Sequence, residues 1–246
     1  MTRNKGLLHN AQAWVRAAVA NHIQPLISFG GVNGTTSNAV PSTSQYAAAV
    51  RAFLHAVPQV KNYTAWDEPD WIYRPALAKH PSLAAAYFNI LTRYCHRTCT
   101  VAAGDVYLPN PQLGPWLRAY KRHLAAAPKA WAIHNYYDVR THTSGQIRTL
   151  ESVAHTGQIW LTEIGGVIRR GHWQYRNQSP AAAGRDEGYL FSMPKRFHRI
   201  TRIYHYQWYG TVDTPHTGWD SGVIAPHGKP RPAYWALAKS AGPRHR

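Results

Sequence analysis

Residues 146–166, QIRTLESVAHTGQIWLTEIGG, contain a helix from about Gln146 to His155 and, directly after it, the apolar strand IWLTEIGG closed by two glycines. The strand is a continuous apolar run, as expected of a strand buried on both faces in a parallel sheet. Helix followed by buried strand is the repeating unit of α/β folds, so the rest of the chain is best read for further copies of it.

The unit recurs in both directions. Upstream, Leu7, Ala11, Trp14, Val15 and Ala18 follow helical spacing, and PLISFGG after them is a strand ending in a glycine loop. A helix around Tyr46 to Val57 leads to the strand YTAW, and one around Ser82 to Tyr94 leads to CTVAAGDV. A helix around Trp116 to Ala126 precedes AWAIHNYY. Downstream, a helix around Ala181 to Arg196 precedes RIYHYQWYG, and a helix around Pro232 to Lys239 closes the chain.

Six strands therefore alternate with seven helices, which predicts an α/β fold with a parallel sheet of the TIM (β/α)8 barrel type. Strand 1, helix 1 and strand 2 of such a barrel have no counterpart, so PLISFGG stands as strand 3 and the others run in order to strand 8. The expectation is an N-terminally incomplete barrel over residues 1–240 and a disordered tail over 241–246, with an exposed edge on the first strand present. An open doubly wound sheet ranks second, because no GxGxxG follows an early strand.

Length and composition agree with one barrel-sized domain: 246 residues, 44% of them hydrophobic, with ten tryptophans. No stretch matches the ~20 apolar residues of a membrane helix, and MTRNKGLLHN lacks the apolar run of a signal peptide. Secretion is expected if a signal peptide lies upstream, and a cytoplasmic location otherwise. The net charge of +17 comes from 28 Lys and Arg against 11 Asp and Glu. The basic residues are scattered and do not form the register of a nucleic-acid module, so they predict a diffuse field favouring an anionic partner. Cys95 and Cys99 stand four residues apart, which leaves a local disulfide and two inert thiols open. Zinc bound with His96 would lack a fourth ligand.

Only four glutamates occur: Glu68, Glu151, Glu163 and Glu187. Glu68 follows YTAW within Trp66-Asp67-Glu68-Pro69-Asp70, and Glu163 lies near the end of IWLTEIGG. In a parallel barrel the C-terminal strand ends converge, which suits a pair of carboxyl groups. Retaining glycosidic cleavage needs two of them, one to protonate the leaving oxygen and one to attack the sugar. Pro69 would stiffen the turn after Glu68, and Gly165 and Gly166 would leave room for a sugar ring beside Glu163. His134 and Tyr136 offer hydrogen bonds to the nucleophile or the sugar. Trp208 offers a flat face to a pyranose, and Trp71, Tyr73, Trp173 and Trp219 could extend it.

WDEPD resembles the Asn-Glu-Pro acid/base motif at strand 4 of clan A glycoside hydrolases, and WLTEIGG resembles their strand 7 nucleophile motif. HNYY is similar to the strand 6 His-x-Tyr element, YQW to the strand 8 tryptophan, and WDSGVIAPHGKPRPAYWAL to the strand 8 loop and final helix, particularly of actinobacterial members. The resemblance runs from about Leu7 to Lys239. It implies a retaining glycosidase with Glu68 as acid/base, Glu163 as nucleophile, Tyr136 as hydrogen-bond partner of the nucleophile and Trp208 as floor of the reacting-sugar subsite. The implied partner is an oligosaccharide or polysaccharide, anionic given the charge. No metal or organic cofactor is implied, and the protein is expected to be a monomer. Asp67 stands where the family has an asparagine for the sugar 2-hydroxyl, and the strand 2 that often supplies an arginine behind the nucleophile is missing. These two departures motivate an alternative, a catalytically impaired glycan-binding barrel. A basic nucleic-acid-binding protein is a third reading.

Other signatures fail. Ser192-Met193-Pro194-Lys195 matches Ser-x-x-Lys, but Pro194 is expected to interrupt its helix and no Lys-Thr-Gly follows. Glycines 30, 31 and 34 lack the Lys-Ser/Thr of a phosphate loop.

Overall fold

The computed structural model describes residues 5–31, 40–72, 75–96, 98–107, 111–170, 177–212 and 218–241. These fall into two compact units, Met1–Ile133 with Thr149–Gln158, and His134–Arg148 with Ile159–Arg246. No described helix is long and apolar enough to cross a membrane.

In the first unit the order is α1 (Lys5–Ala20), β1 (Leu26–Ser28), α2 (Thr43–Ala56), β2 (Asn62–Thr64), α3 (Pro75–Ala78), α4 (Pro81–Cys95), β3 (Thr100–Val106), α5 (Leu113–Lys121) and β4 (Ala130–Ile133). The strands pair in parallel in chain order, with Ile27 beside Tyr63, Tyr63 beside Val101, and Ala103 beside Trp131. Local signals set the helix starts. Ser42 caps α2 in a reciprocal box, its Oγ accepting from Gln45 N–H at 3.2 Å while its own N–H donates to Gln45 Oε1 at 2.9 Å. Pro81 occupies the first turn of α4, where no N–H is needed.

The helices close over one face of these strands through an aromatic cluster. Phe29 packs edge-on to Tyr46 and Phe53, and Tyr46 stacks on Tyr87 with centroids 4.2 Å apart. Each such side chain, exposed by only a few per cent, contributes roughly 1.5–3 kcal/mol by its transfer from water. β1 is the terminal strand of its sheet, as expected; Leu26 and Ile27 are half-buried and Ser28 is exposed. Gly104 at φ +91° and Asp105 at φ +64° shift the register between β3 and β4, a bulge that glycine makes easier. Cys95 and Cys99 form a disulfide with Cα atoms 5.4 Å apart, which removes the zinc reading of that pair.

The second unit holds α6 (Tyr136–Thr141), the first four residues of α7 (Gly145–Val153) and β5 (Gln158–Ile164) from Ile159 on, then β6 (Arg169–Arg170), α8 (Pro180–Arg196), β7 (Ile200–His205), β8 (Trp219–Asp220) and α9 (Pro232–Ala241). β5 and β7 are parallel, with Leu161 beside Ile203, and β6 pairs antiparallel with β8. α8 packs on α9 so closely that a methyl group on Gly184 would lie 2.7 Å from Pro232 Cβ.

Four expectations are corrected. HNYY is no continuation of a strand: β4 ends at Ile133 and Tyr136 opens α6, whose buried Asp138 accepts from Gln146 and Ile147 N–H, at the start of the following helix, at 3.1 and 3.0 Å. YQWYG likewise leaves the sheet after His205. Helix α5 stops at Lys121 rather than near Ala126. Pro194 does not interrupt α8, which reaches Arg196; the proline has no N–H to give to the Leu190 carbonyl, and the helix runs only two residues past it. Of the expected tail, Ala241 is the last residue of α9 and 242–246 lie outside the described residues.

Candidate active site

In the first unit the chain leaves β2 under tight control. Tyr46 donates its hydroxyl to the Ala65 carbonyl at 2.6 Å. Burial, helped by the neighbouring phenols of Tyr120 and Tyr87, pushes the Tyr46 pKa far above its ordinary value, so it stays a neutral donor. Trp66 is buried against Tyr87, Asp67 N–H donates to the Phe29 carbonyl at 2.7 Å, and Trp71 N–H returns to the Glu68 carbonyl at 3.2 Å. The buried Asp70 accepts the Tyr107 N–H with both oxygens, at 2.9 and 3.1 Å. Trp66, Pro69 and Asp70 are thus the buried part of the motif, while Asp67, Glu68 and Trp71 remain half-buried. Glu68 has φ +44°, the left-handed region a side-chain-bearing residue avoids at a cost of roughly 1–3 kcal/mol. The anchors that hold it there, Tyr46 and Asp70, were not singled out in the sequence.

In the second unit His134 follows β4 directly and is 2% exposed. Two residues on, the Tyr136 hydroxyl donates to Glu163 Oε1 at 3.1 Å. Trp219 stands beside Tyr136, with centroids 5.1 Å apart and planes at 76°, and its indole N–H donates to Ser221 Oγ at 2.9 Å. Tyr136, Glu163 and Trp219 are therefore brought together, with the tryptophan edge-on to the tyrosine. Trp208 is 52% exposed and lies edge-on to Tyr234 of α9 at 6.1 Å. Tyr73, Trp173 and Gly34 lie outside the described residues.

Gly165 and Gly166 have a different use from the one expected. Both are buried, and the space beside them is filled by protein: a methyl group on Gly165 would lie 2.7 Å from the Tyr206 carbonyl, and one on Gly166 only 2.2 Å from that of Ala183. They let α8 and β7 approach the end of β5, so they make no room there for a sugar ring.

The segment carrying Trp219 is locked by Asp220. Its carboxylate receives both Arg231 Nη atoms at 2.8 Å and the Gly222 N–H at 3.0 Å, while Arg231 also donates to the Gly222 carbonyl at 2.7 Å. Burial alone would push the carboxyl pKa up; the hydrogen bonds of Arg231 and Gly222, with the charges of Arg231 and Arg169, outweigh it and hold the group below its ordinary range.

Residues 32–235 match the family model of the glycosyl hydrolase catalytic core. The chain belongs to this family. Both WDEPD and IWLTEIGG fall inside the matched span of the hydrolase core. Among solved structures it is similar to a monomeric β-xylosidase from Caulobacter crescentus CB15, at 15% identity and a TM-score of 0.64, covering 93% of this chain and 55% of that one. A β-1,3-glucanosyltransferase of Rhizomucor miehei matches at 13% identity and a TM-score of 0.64, covering 91% and 80%. A β-glucuronidase from an uncultured Clostridium species matches at 11% identity and a TM-score of 0.64, covering 94% and 42%. The chain thus spans about half the length of the xylosidase, and the likeness gives it the TIM-barrel fold, represented among the described residues by six parallel strands. No sequence among the curated proteins matches it.

Proposed function

We propose that this glycosyl hydrolase core is a retaining glycosidase that cleaves O-glycosidic bonds by double displacement. The observation that carries the reading is the hydrogen bond from Tyr136 to Glu163. A phenol O–H given to a carboxylate oxygen favours the anion and fixes its direction, as a nucleophile requires and a general acid does not. Glu68 protonates the leaving oxygen while Glu163 attacks the anomeric carbon and forms a glycosyl-enzyme. Glu68 then takes a proton from the water that releases the sugar. Asp67, His134, Trp71, Trp208 and Trp219 contact the substrate, with Trp208 flooring the reacting sugar. The net charge of +17 favours an anionic glycan. The Cys95–Cys99 disulfide supports an oxidising, extracytoplasmic compartment.

The test is product stereochemistry. The chain is incubated with a panel of aryl glycosides that includes uronides, and the first-formed anomer is read by proton NMR. Retention is expected; an inverted product would remove Glu163 from the nucleophile role. Tyr136→Phe deletes one hydrogen bond to a charged group, worth about 1.5–3 kcal/mol. It should therefore lower kcat/KM by about 10- to 100-fold, and an unchanged kcat/KM would leave Tyr136 without the assigned part.

Asp67 favours a second reading. A carboxylate offers no donors where an asparagine amide offers two; it still accepts from sugar hydroxyls but gives no bond to the 2-hydroxyl in the transition state, which suits a barrel that binds glycan without cutting it. Calorimetric titration with oligosaccharides, followed by chromatography of the mixture, separates the two: binding without product favours the second.

A further inference from the structure

Glu187 is one of only four glutamates, yet the reaction outlined above gives it no part. It lies in α8 and is fully buried. A buried carboxylate is costly unless its oxygens are engaged, so its neighbours indicate what it does. Oε2 accepts the Gly166 N–H at 2.9 Å. Oε1 approaches His205 Nε2 to 3.1 Å, an electrostatic contact without the alignment of a hydrogen bond. Gly166 is three residues beyond Glu163, and His205 is the last residue of β7, the strand beside β5. The backbone is tied at the same place: Tyr206 N–H donates to the Ile164 carbonyl at 2.8 Å.

The close contacts of Gly165 and Gly166 make sense on the same terms. A side chain on Gly165 would meet His205 Nε2 at 2.8 Å, and one on Gly166 would strike the Ala183 carbonyl, one turn of α8 before Glu187. The two glycines let the helix bring its carboxylate against the backbone three residues past Glu163. The preceding residue, Asp186, is engaged elsewhere, with Gln178 Nε2 at 2.6 Å and His142 Nε2 at 3.0 Å. Glu187 is therefore the acid of α8 whose carboxylate receives the backbone N–H of Gly166.

We infer that Glu187 is a positioning residue for Glu163: by holding Gly166 N–H and His205 it sets where the end of β5 presents the Glu163 carboxylate. The inference deepens the glycosidase reading and rests on it for its kinetic consequence. Its structural content, the clamp on Gly166, can be read without turnover.

Glu187→Gln keeps an oxygen for the Gly166 N–H and removes the charge beside His205; Glu187→Ala removes both. In the full chain, hydrogen exchange of the Gly166 amide should accelerate at least about tenfold in Glu187→Ala and less in Glu187→Gln, without equal acceleration in the central strands. On the aryl glycosides that the wild type hydrolyses, kcat should fall by about 10- to 100-fold in Glu187→Ala at nearly unchanged KM, because a small misplacement of a reacting group is enough to do so. Glu187→Gln should restore part of that loss. Unchanged Gly166 exchange, or a kcat per folded molecule equal to wild type, overturns the inference. If Glu187→Ala does not fold, Glu187→Gln decides alone: slower turnover together with faster Gly166 exchange supports the clamp, and a wild-type value for either refutes it. If the wild type cuts none of the panel, the glycosidase reading fails, and Gly166 exchange still decides the clamp.

Discussion

Glu163→Gln is expected to lower kcat on aryl glycosides by about 10⁴-fold or more, the scale seen when a covalent enzyme loses its nucleophile. That corresponds to a barrier higher by about 5 kcal/mol, at 1.36 kcal/mol for each factor of ten. The amide matches the carboxylate in size and keeps an oxygen to accept the Tyr136 hydroxyl, so the melting temperature should move by only a few degrees. What is lost is the anion that attacks the anomeric carbon. Steady-state kinetics together with thermal denaturation checks both halves, and a Gln variant retaining a tenth of wild-type kcat would take the nucleophile role from Glu163. Glu68→Ala provides the complementary control. Its loss should be large for a poor leaving group and much smaller for dinitrophenolate, which departs without a proton. Equal losses on both substrates would argue against Glu68 as the acid.

Arg231→Met is expected to destabilise the chain by about 3–5 kcal/mol, because it leaves Asp220 buried without its cation. For a chain of this size that is a fall in melting temperature of roughly 10 °C or more. Asp220 is 2% exposed and takes two 2.8 Å bonds from Arg231, so little water is available to replace the guanidinium. The pH dependence follows from the direction of the shift. The folded-state pKa of Asp220 is depressed, so its stabilisation is present above the ordinary carboxylate pKa of about 4 and is lost as pH falls through the lower folded value. The gap between wild type and Arg231→Met should therefore be widest near neutrality and close in acid. Melting curves from pH 7 to pH 3 test this, and a gap that stays constant would mean the pair contributes nothing through its charge.

Much of the candidate site was legible in the sequence because its signals are local. Glu68 and Glu163 stand out in a chain poor in acids, each at or near the end of a short apolar run that a proline or two glycines follow. Tyr136 was legible by its spacing from β4, although the element it belongs to was misread: a strand run and a helix start look alike when Asp138 caps the following helix from eight and nine residues away. Trp219 was expected as a sugar platform, and its place beside Tyr136 depends on an aromatic contact across 83 residues. Gly165 and Gly166 were recognised as a need for space, but what fills that space comes from α8 and β7.

The sequence by itself determined the alternation of helix and parallel strand and the six strands of the main sheet, though not β6 and β8, and it singled out Glu68, Glu163 and Tyr136 as candidates. Each of these is written in apolar period, turn residues or short motifs, which act over fewer than about 20 residues. Only the tertiary structure decided that Cys95 and Cys99 join, that Asp70 and Tyr46 hold the strained Glu68 turn, and that Glu187 receives the Gly166 N–H. Most of these ties link residues about 20 to 40 positions apart, and their partners become neighbours only once burial has brought helices and strands together. The physical reason is that a buried polar group is satisfied by whatever donor the packing places within about 3 Å, and no local pattern in the chain encodes that meeting.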